Sequence, residues 1–262
     1  MTGIFSSVVI PAFNEGVRLP PLLADLVAQA SLHNARPVEF LVVDDGSAPD
    51  HLVRHRACTE AAALQLASIG SPHRVRLIEC GVNQGKASAV RRGWQEAVPE
   101  SAWLAFVDAD GAISASEIWR LVGLLDDRWD VLAGSRVLMA GHTIDRSLAR
   151  HLQGRVFATL TEWAFRLGFY DTQCGVKFVR GSLVRPHLDV LQERRWMLDI
   201  ELLALVGLLG GRMREEPIDW REPGGSKVRP IVDAVKMFFG ILRIRRHLAR
   251  VAPTLPARVS SP

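Results

Sequence analysis

Cysteine is scarce in this chain, and long apolar runs are missing altogether. Its three cysteines, Cys58, Cys80 and Cys174, form no CxxC pair and no Cys/His cluster at zinc spacing. That pattern speaks against a disulfide framework and a structural zinc site, and it fits a reducing cytoplasm. The longest apolar stretch lies around Leu202–Leu209, far short of the roughly 20 residues a helix needs to span a bilayer. The opening MTGIFSSVVIP has neither a basic n-region nor a long apolar core, so no secretory leader is expected. The expectation is a cytoplasmic protein able to lie on the inner face of a membrane but not to cross it. The chain also lacks the GxxxxGK[ST] spacing of a P-loop and the GxGxxG of a dinucleotide-binding turn, and the second absence argues against a nicotinamide enzyme.

Neither sign of charge dominates: the formal net charge is +4. The distribution is uneven, with seven Lys/Arg against one Asp between Lys227 and Arg250, so the rest of the chain is slightly acidic. A basic end of this kind either meets a phosphate-bearing or anionic-membrane partner or is a solvated helix face. No nucleic-acid partner is expected. With 48% hydrophobic and 23% charged residues, the 262-residue chain has an ordinary globular composition. It is long enough for one sizeable core or a core plus a small appendage.

The first half alternates two kinds of segment. Ser7–Ile10, Phe40–Val43, Val75–Ile78, Trp103–Val107 and Val131–Ala133 are apolar runs of strand length. Between them lie helix-like stretches at Leu19–Ala30, Leu52–Ala67, Ala87–Ala97 and Ile118–Leu125, the last introduced by a Ser114-x-x-Glu117 capping box. Uninterrupted apolar strands alternating with amphipathic helices predict an α/β fold, a mostly parallel sheet with helices on both faces. Beyond about residue 140 the spacing predicts helices at Arg146–Leu167, Met197–Leu209 and Ile231–Leu248, strands at Cys174–Val179 and Met213–Ile218, and a frayed tail from Ala252.

In such a sheet ligands bind outside the carboxyl ends of the strands. The residues that follow the strands are therefore the candidates: Pro11-Ala12-Phe13-Asn14-Glu15, Asp44-Asp45-Gly46-Ser47, Asn83-Gln84-Gly85-Lys86 and Asp108-Ala109-Asp110-Gly111. Asp108 and Asp110 can direct oxygens at one hard cation, Mg²⁺ or Mn²⁺, which takes its remaining ligands from water and phosphate. Two acidic pairs on one sheet edge repel each other unless cations or hydrogen-bond donors intervene. Asp44-Asp45-Gly46-Ser47 reads as a turn, or as a carboxylate accepting from a uracil imide or ribose hydroxyls, with the role open between Asp44 and Asp45. At a helix start, residues 83–86 offer backbone N–H groups and an ammonium to an anion. His33, His51, His55 and His73 have no evident partners.

These segments carry a resemblance. VVIPAFNE (Val8–Glu15), VVDDGS (Val42–Ser47), NQGKASAVRRG (Asn83–Gly93), FVDADG (Phe106–Gly111) and AGSR (Ala133–Arg136) occur in the order seen in family-2 inverting glycosyltransferases of GT-A, Rossmann-like fold. DTQCGVKF (Asp171–Phe178), RRWMLDIELL (Arg194–Leu203) and the stretch Trp220–Val228 are similar to the dolichyl-phosphate β-glucosyltransferase branch, whose relatives load sugars onto polyprenyl phosphates. Gln192–Trp196 also matches the Q-x-x-R-W of processive polysaccharide synthases, which carry transmembrane helices.

The resemblance implies a single GT-A domain over 1–250, with a nucleotide-sugar half (1–137), an acceptor and sugar half (138–230) and a basic amphipathic helix (231–250), followed by a flexible tail (251–262). It implies a nucleotide-sugar donor, a UDP-hexose, lined by Pro11, Ala12, Asn14, Glu15, Asp44 or Asp45, and Ala109. Asp108 and Asp110 would hold the metal and diphosphate, and Lys86 and Arg136 would meet phosphate or sugar. Gly175 and Lys177 would shape the sugar pocket, Trp196 would contact the donor, and Ser226 and Lys227 would close over the diphosphate. The implied acceptor is a lipid phosphate at the membrane surface, received by Arg146, Arg150 and Arg155 unless these form a solvated face. Asp199 is the candidate base if the acceptor is a hydroxyl, and an orienting group if it is a phosphate. Asp199 and Glu201 can also be read as the exposed face of an otherwise apolar helix. A soluble acceptor, a non-catalytic nucleotide-binding scaffold and an Asp-x-Asp phosphatase are the rival readings; the last needs its motif after the first strand, whereas here it follows the fourth.

Overall fold

The computed structural model describes residues 5–136, 144–145, 148–221 and 230–256, the backbone alone at 144–145, 148–156 and 230–235. The five apolar runs of the first half become β1 (Ser6–Ala12), β2 (Val38–Asp44), β3 (Arg74–Glu79), β4 (Trp103–Val107) and β5 (Val131–Ser135). The helices between them are α1 (Leu19–Gln29), α2 (Pro49–Ser68), α3 (Lys86–Glu96) and α4 (Ala115–Leu124). Proline in the first turn opens α1 and α2, where a missing N–H costs nothing. Ser114 Oγ accepts from Glu117 N at 3.3 Å as expected, but the Glu117 carboxylate turns to Arg120 instead of closing the capping box. The second half adds β6 (Ile144–Asp145), α5 (Leu148–Phe165), β7 (Val176–Arg180), α6 (Gly181–Val184), α7 (Leu198–Leu208), β8 (Met213–Pro217), β9 (Trp220–Arg221) and α8 (Pro230–Val251).

The main sheet has seven strands in the order β3-β2-β1-β4-β7-β5-β8. β1 pairs in parallel with β2 and β4, β2 with β3, and β5 with β8. β7 runs antiparallel between β4 and β5, a direction that its own composition does not reveal. Side chains alternate across the sheet with period two. Val8, Ile10, Phe40 and Val42 enter a core shared with α1, α2 and α4, while Val9, Leu41 and Val43 enter one shared with α3, α7 and α8. Trp94, Trp103 and Trp119 are almost completely buried. Each hides roughly 200 Å² of surface, an upper-bound contribution of about 5 kcal/mol.

α8 packs Met237, Ile241, Ile244 and Leu248 on this second core and turns Lys236, Phe238, Phe239, Arg243, Arg245 and Arg246 outward. The chain does not fray at Ala252: Ala252–Thr254 form a 3-10 turn and Leu255 packs against the core. No helix among the described residues is long and apolar enough to cross a membrane.

Candidate active site

The carboxyl ends of β1, β2 and β4 open onto a cavity of about 460 Å³. Of the expected residues, Pro11, Ala12, Glu15, Asp45, Lys86, Asp108, Ala109, Asp110 and Trp196 line it. Phe13, Asn83 and Gly85 of the strand-end clusters also line it, and Arg18 and Arg195 join them without having been singled out. Arg18 was legible only as the i+3 partner of Glu15, and Arg195 only as the neighbour of Trp196. Arg18 clamps Glu15 with two bonds of 2.6 and 2.5 Å.

Adjacent aspartates at the end of β2 divide their work. Asp44 is buried and turned away from the cavity: one oxygen accepts from Gly46 N and Ser47 N at 3.1 and 3.0 Å, and the other lies 2.7 Å from His55 Nδ1. Burial would raise its carboxyl, but the hydrogen bonds from Ser47 and His55 outweigh burial and hold it below the usual carboxylate range. Asp44 therefore shapes the turn, and Asp45 is the member that reaches the cavity. Asp45 accepts from Gln84 N (2.9 Å) and Gly85 N (2.7 Å).

The start of α3 is consequently not the open anion site expected of it. Besides the N–H groups given to Asp45, those of Ala87 and Ser88 donate to the carbonyls of Arg195 (3.0 Å) and Arg194 (3.3 Å). Gly85 sits at φ 99°, and a Cβ there would strike the Arg194 carbonyl oxygen, so the close approach of the two loops requires glycine. The Lys86 ammonium is the cation that this segment still offers to an anion. It lies 2.5 Å from Asp108 Oδ1 and over the Phe106 ring. Burial disfavours its charge, but the carboxylates of Asp108, Asp199 and Asp110 together raise its pKa.

Asp108 donates its N–H to Gly175 O at 2.9 Å. A Cβ at Gly175 would overlap the Asp108 carboxylate, so Gly175 acts by leaving that group room. Asp110 accepts from Ala112 N at 3.0 Å, and its carboxyl is pushed up first by burial and then by the Asp108 charge. Among the described residues no group of three or more His, Cys, Asp or Glu forms a self-sufficient metal cage. Two carboxylates facing a cavity fit a hard cation that completes its shell with phosphate and water.

Behind the cavity wall lies a buried charge network. Lys177 is fully buried and gives its ammonium to Asp199 Oδ1 (2.5 Å) and Cys174 O (3.0 Å). Arg136 forks onto Asp171 at 2.7 and 2.9 Å and does not line the cavity. Burial disfavours both charges of that pair, yet their mutual attraction raises Arg136 and lowers Asp171 to about 2. Neither Asp199 nor Glu201 is an exposed helix face, since both are buried. Glu201 accepts from Gln192 N and Glu193 N at 2.9 Å each, and burial raises its pKa. This carboxylate, with Arg91 bonded to Leu191 O at 2.6 Å and to Glu193 O, holds the 192–196 loop.

Asn14 (φ 59°) bridges to Ser47 and Ala48 instead of lining the cavity. The four histidines are all engaged. His51 accepts from Gly16 N, His55 meets Asp44, His73 accepts from Val38 N, and His33 stacks on Trp119. Arg146, Ser226 and Lys227 lie outside the described residues. Arg150 and Arg155 lie on α5, described as backbone alone.

Residues 7–181 match the family model described as Glycosyl transferase family 2. Over 243 residues the chain is 33% identical to the dolichyl-phosphate beta-glucosyltransferase of Drosophila melanogaster, covering 88% of this chain and 71% of that protein. Over 257 residues it is 30% identical to the protein of the same name in Saccharomyces cerevisiae, covering 92% and 74% respectively. Among solved structures, the mannosyltransferase PcManGT from Pyrobaculum calidifontis, in complex with GDP-Man and Mn²⁺, shares the fold at a TM-score of 0.57 and 14% identity. That likeness covers 98% of this chain but only 66% of the other, just under two thirds. With the seven-stranded α/β sheet and the acidic cavity at its strand ends, these likenesses make the chain a glycosyltransferase of GT-A fold, and it belongs to glycosyl transferase family 2.

Proposed function

We propose that the chain transfers a hexose, glucose foremost, from a UDP-sugar to a polyprenyl phosphate of the dolichyl type, with inversion at the anomeric carbon. The observation that carries this reading is the cavity where Asp108 and Asp110 stand beside Lys86 and Arg18 at the ends of β4 and β1. Similarity to dolichyl-phosphate glucosyltransferases over about nine tenths of the chain supports the choice of acceptor.

In the proposed reaction an oxygen of the acceptor phosphate bonds to the anomeric carbon as the bond from that carbon to the diphosphate breaks. The electron pair leaves with the nucleoside diphosphate. Mg²⁺ or Mn²⁺ held by Asp108 and Asp110 would supply charge neutralisation for the departing diphosphate. Lys86 offers a fixed ammonium to the same charge, as preorganised electrostatic stabilisation. A phosphate monoester has a second pKa of about 6, so near neutral pH it attacks without a base. Asp199 then serves as a positioning residue through Lys177 rather than as a proton acceptor. Asp45, Glu15 and Trp196 line the cavity, and in this reading Asp45 and Glu15 meet the nucleoside and Trp196 meets the donor. Arg146, Arg150 and Arg155, with Ser226 and Lys227, remain candidate contacts to the acceptor and the diphosphate. The outer face of α8, with Phe238 and Phe239 beside Arg245 and Arg246, rests on the membrane surface.

The test is nucleoside diphosphate release by purified protein with Mg²⁺ or Mn²⁺, comparing UDP-glucose with other donors, with and without a short polyprenyl phosphate. Release that needs the lipid and disappears in Asp110→Ala is expected. Release without lipid would transfer the activity to water or a soluble hydroxyl acceptor, and no release with any donor would overturn the reading.

A further inference from the structure

α2 carries two histidines on one face. His51 and His55 stand four residues apart near its start, and each bonds to a different loop of the cavity at the strand ends. His55 Nδ1 lies 2.7 Å from Asp44 Oδ2, at the head of the turn that delivers Asp45. His51 Nδ1 accepts from Gly16 N at 3.0 Å, in the β1–α1 loop that carries Glu15 and Arg18. The helix lies so close to this loop that a Cβ at Gly16 would stand 2.9 Å from His51 Nδ1 and 3.1 Å from its Cα. The two loops are also tied to each other, since Asn14 N donates to Ser47 Oγ and Ala48 N to Asn14 Oδ1, each at 2.9 Å. Asn14 sits in the left-handed region at φ 59°, a conformation kept by these two bonds.

The two rings are used in opposite senses. Asp44 is an ionised acceptor, so His55 Nδ1 donates to it, whereas His51 Nδ1 must carry a free lone pair to accept from Gly16. His55 is fully buried, and its second nitrogen, Nε2, has no partner among the described residues; Thr59 Oγ1, one turn further along α2, has none either. A leucine would fill that place without leaving a ring nitrogen unpaired, so packing does not call for histidine there. What the ring supplies is one donor, given to Asp44. With Oδ2 so held, Asp44 Oδ1 takes Gly46 N and Ser47 N, which closes the turn and leaves Asp45 facing the cavity. Neither His51 nor His55 lines the cavity itself.

We propose that His51 and His55 are positioning residues for the nucleotide-sugar: from one face of α2 they fix the two loops that set Glu15 and Asp45 in the cavity wall. The inference rests on the nucleotide-sugar reading above and adds what sets the affinity for that donor. Asp108 and Asp110 follow β4 and Lys86 opens α3, outside this brace. The groups that meet the departing diphosphate therefore stay in place when the brace is loosened. Loosening it weakens donor binding and leaves the chemical step alone, the pattern of a raised KM at constant kcat.

The experiment uses the full chain with Mn²⁺, reading UDP binding by calorimetry and UDP release from UDP-glucose in the presence of a short polyprenyl phosphate. Leucine at either position can neither donate nor accept, while asparagine offers Nδ2 to Asp44 or Oδ1 to Gly16. His55→Leu should raise the Kd for UDP and the KM for UDP-glucose about tenfold, and His51→Leu about threefold, in line with bonds to a charged and to a neutral partner. In both, kcat and the KM for the lipid should stay as in the wild type, and His51→Asn and His55→Asn should keep donor affinity within about twofold of it. Stability should rank the other way: His55→Asn empties part of a fully buried ring site and should melt below His55→Leu. Donor constants that instead track Tm, with His55→Asn the weaker binder, would show a packing role alone and overturn the proposal. Wild-type constants in both leucine variants, or a loss confined to kcat, would overturn it too, with the function intact. His51 is partly exposed, so its two variants carry the test if the buried position does not tolerate change. A wild-type protein that neither binds UDP nor releases it from UDP-glucose would overturn the proposed function and this inference together.

Discussion

Gly175→Ala tests whether Asp108 must occupy one position to work. Gly175 lies outside the left-handed region, so alanine brings no backbone strain there, only a methyl group. That carbon would stand 2.8 Å from Asp108 Cγ and closer still to Oδ2. Carbon–carbon contacts settle at about 3.5–4.0 Å, so the carboxylate must withdraw by about 1 Å. The backbone cannot open easily to share the shift, because Asp108 N is bonded to Gly175 O at 2.9 Å. The movement falls on the Asp108 side chain and disturbs its contact with Lys86. A misplacement of about 1 Å costs about a hundredfold in rate, or about 2.7 kcal/mol of barrier. Folding should change little, since alanine also narrows the unfolded ensemble by about 0.4–1 kcal/mol in its favour. The assay is initial UDP release at saturating UDP-glucose and acceptor over a Mn²⁺ titration, beside a thermal melt. A fall in kcat of about two orders of magnitude, a higher Mn²⁺ requirement and a nearly unchanged Tm are expected. Wild-type kcat and Mn²⁺ dependence would refute the argument that Asp108 is a positioned metal and diphosphate ligand.

Three other outcomes follow from the buried charges and a cap. Lys177→Met strands the Asp199 carboxylate, only 5% exposed, without its cation. It should cost about 3–5 kcal/mol, about 10 °C in Tm, and adding Asp199→Leu should restore much of that loss. Asp171 has a folded pKa of about 2, below its ordinary 3.8, so its contribution to stability is present above pH 4 and is lost as pH falls toward 2. The stability gap between wild type and Asp171→Asn should therefore shrink by about 1 kcal/mol between pH 5 and pH 3, and urea midpoints at a series of pH values would show it. Ser114→Ala removes the cap on α4 and should lower stability by up to about 1 kcal/mol without altering the KM for the donor. An unchanged urea midpoint would show that the 3.3 Å cap bond contributes nothing.

The sequence by itself determined the elements of the first half. β1, β2 and β4 carry the apolar runs Val8–Ile10, Phe40–Val43 and Trp103–Val107, because strands buried on both faces have no solvent side to mark with alternating polar residues. It also determined that carboxylates follow those strands, and a parallel sheet brings its strand ends to one edge. It could not say which carboxylate faces the ligand. Asp44 and Asp45 are neighbours of the same type, but successive side chains at a strand end point opposite ways, so one folds toward His55 and the other into the cavity. Nor could it show that the N–H groups at the start of α3 are already engaged, since their partners are the Asp45 carboxylate about forty residues earlier and carbonyls more than a hundred residues later in the chain. The antiparallel course of β7 was equally hidden, because strand direction depends on how the connecting chain crosses, not on the residues within the strand. The same holds for the place of Arg195 and Trp196 in the cavity wall. These side chains reach the ends of β1 and β4 only because α3, α7 and α8 pack on one face of the sheet and carry the loop there, and contacts at such distances along the chain leave no local pattern to read.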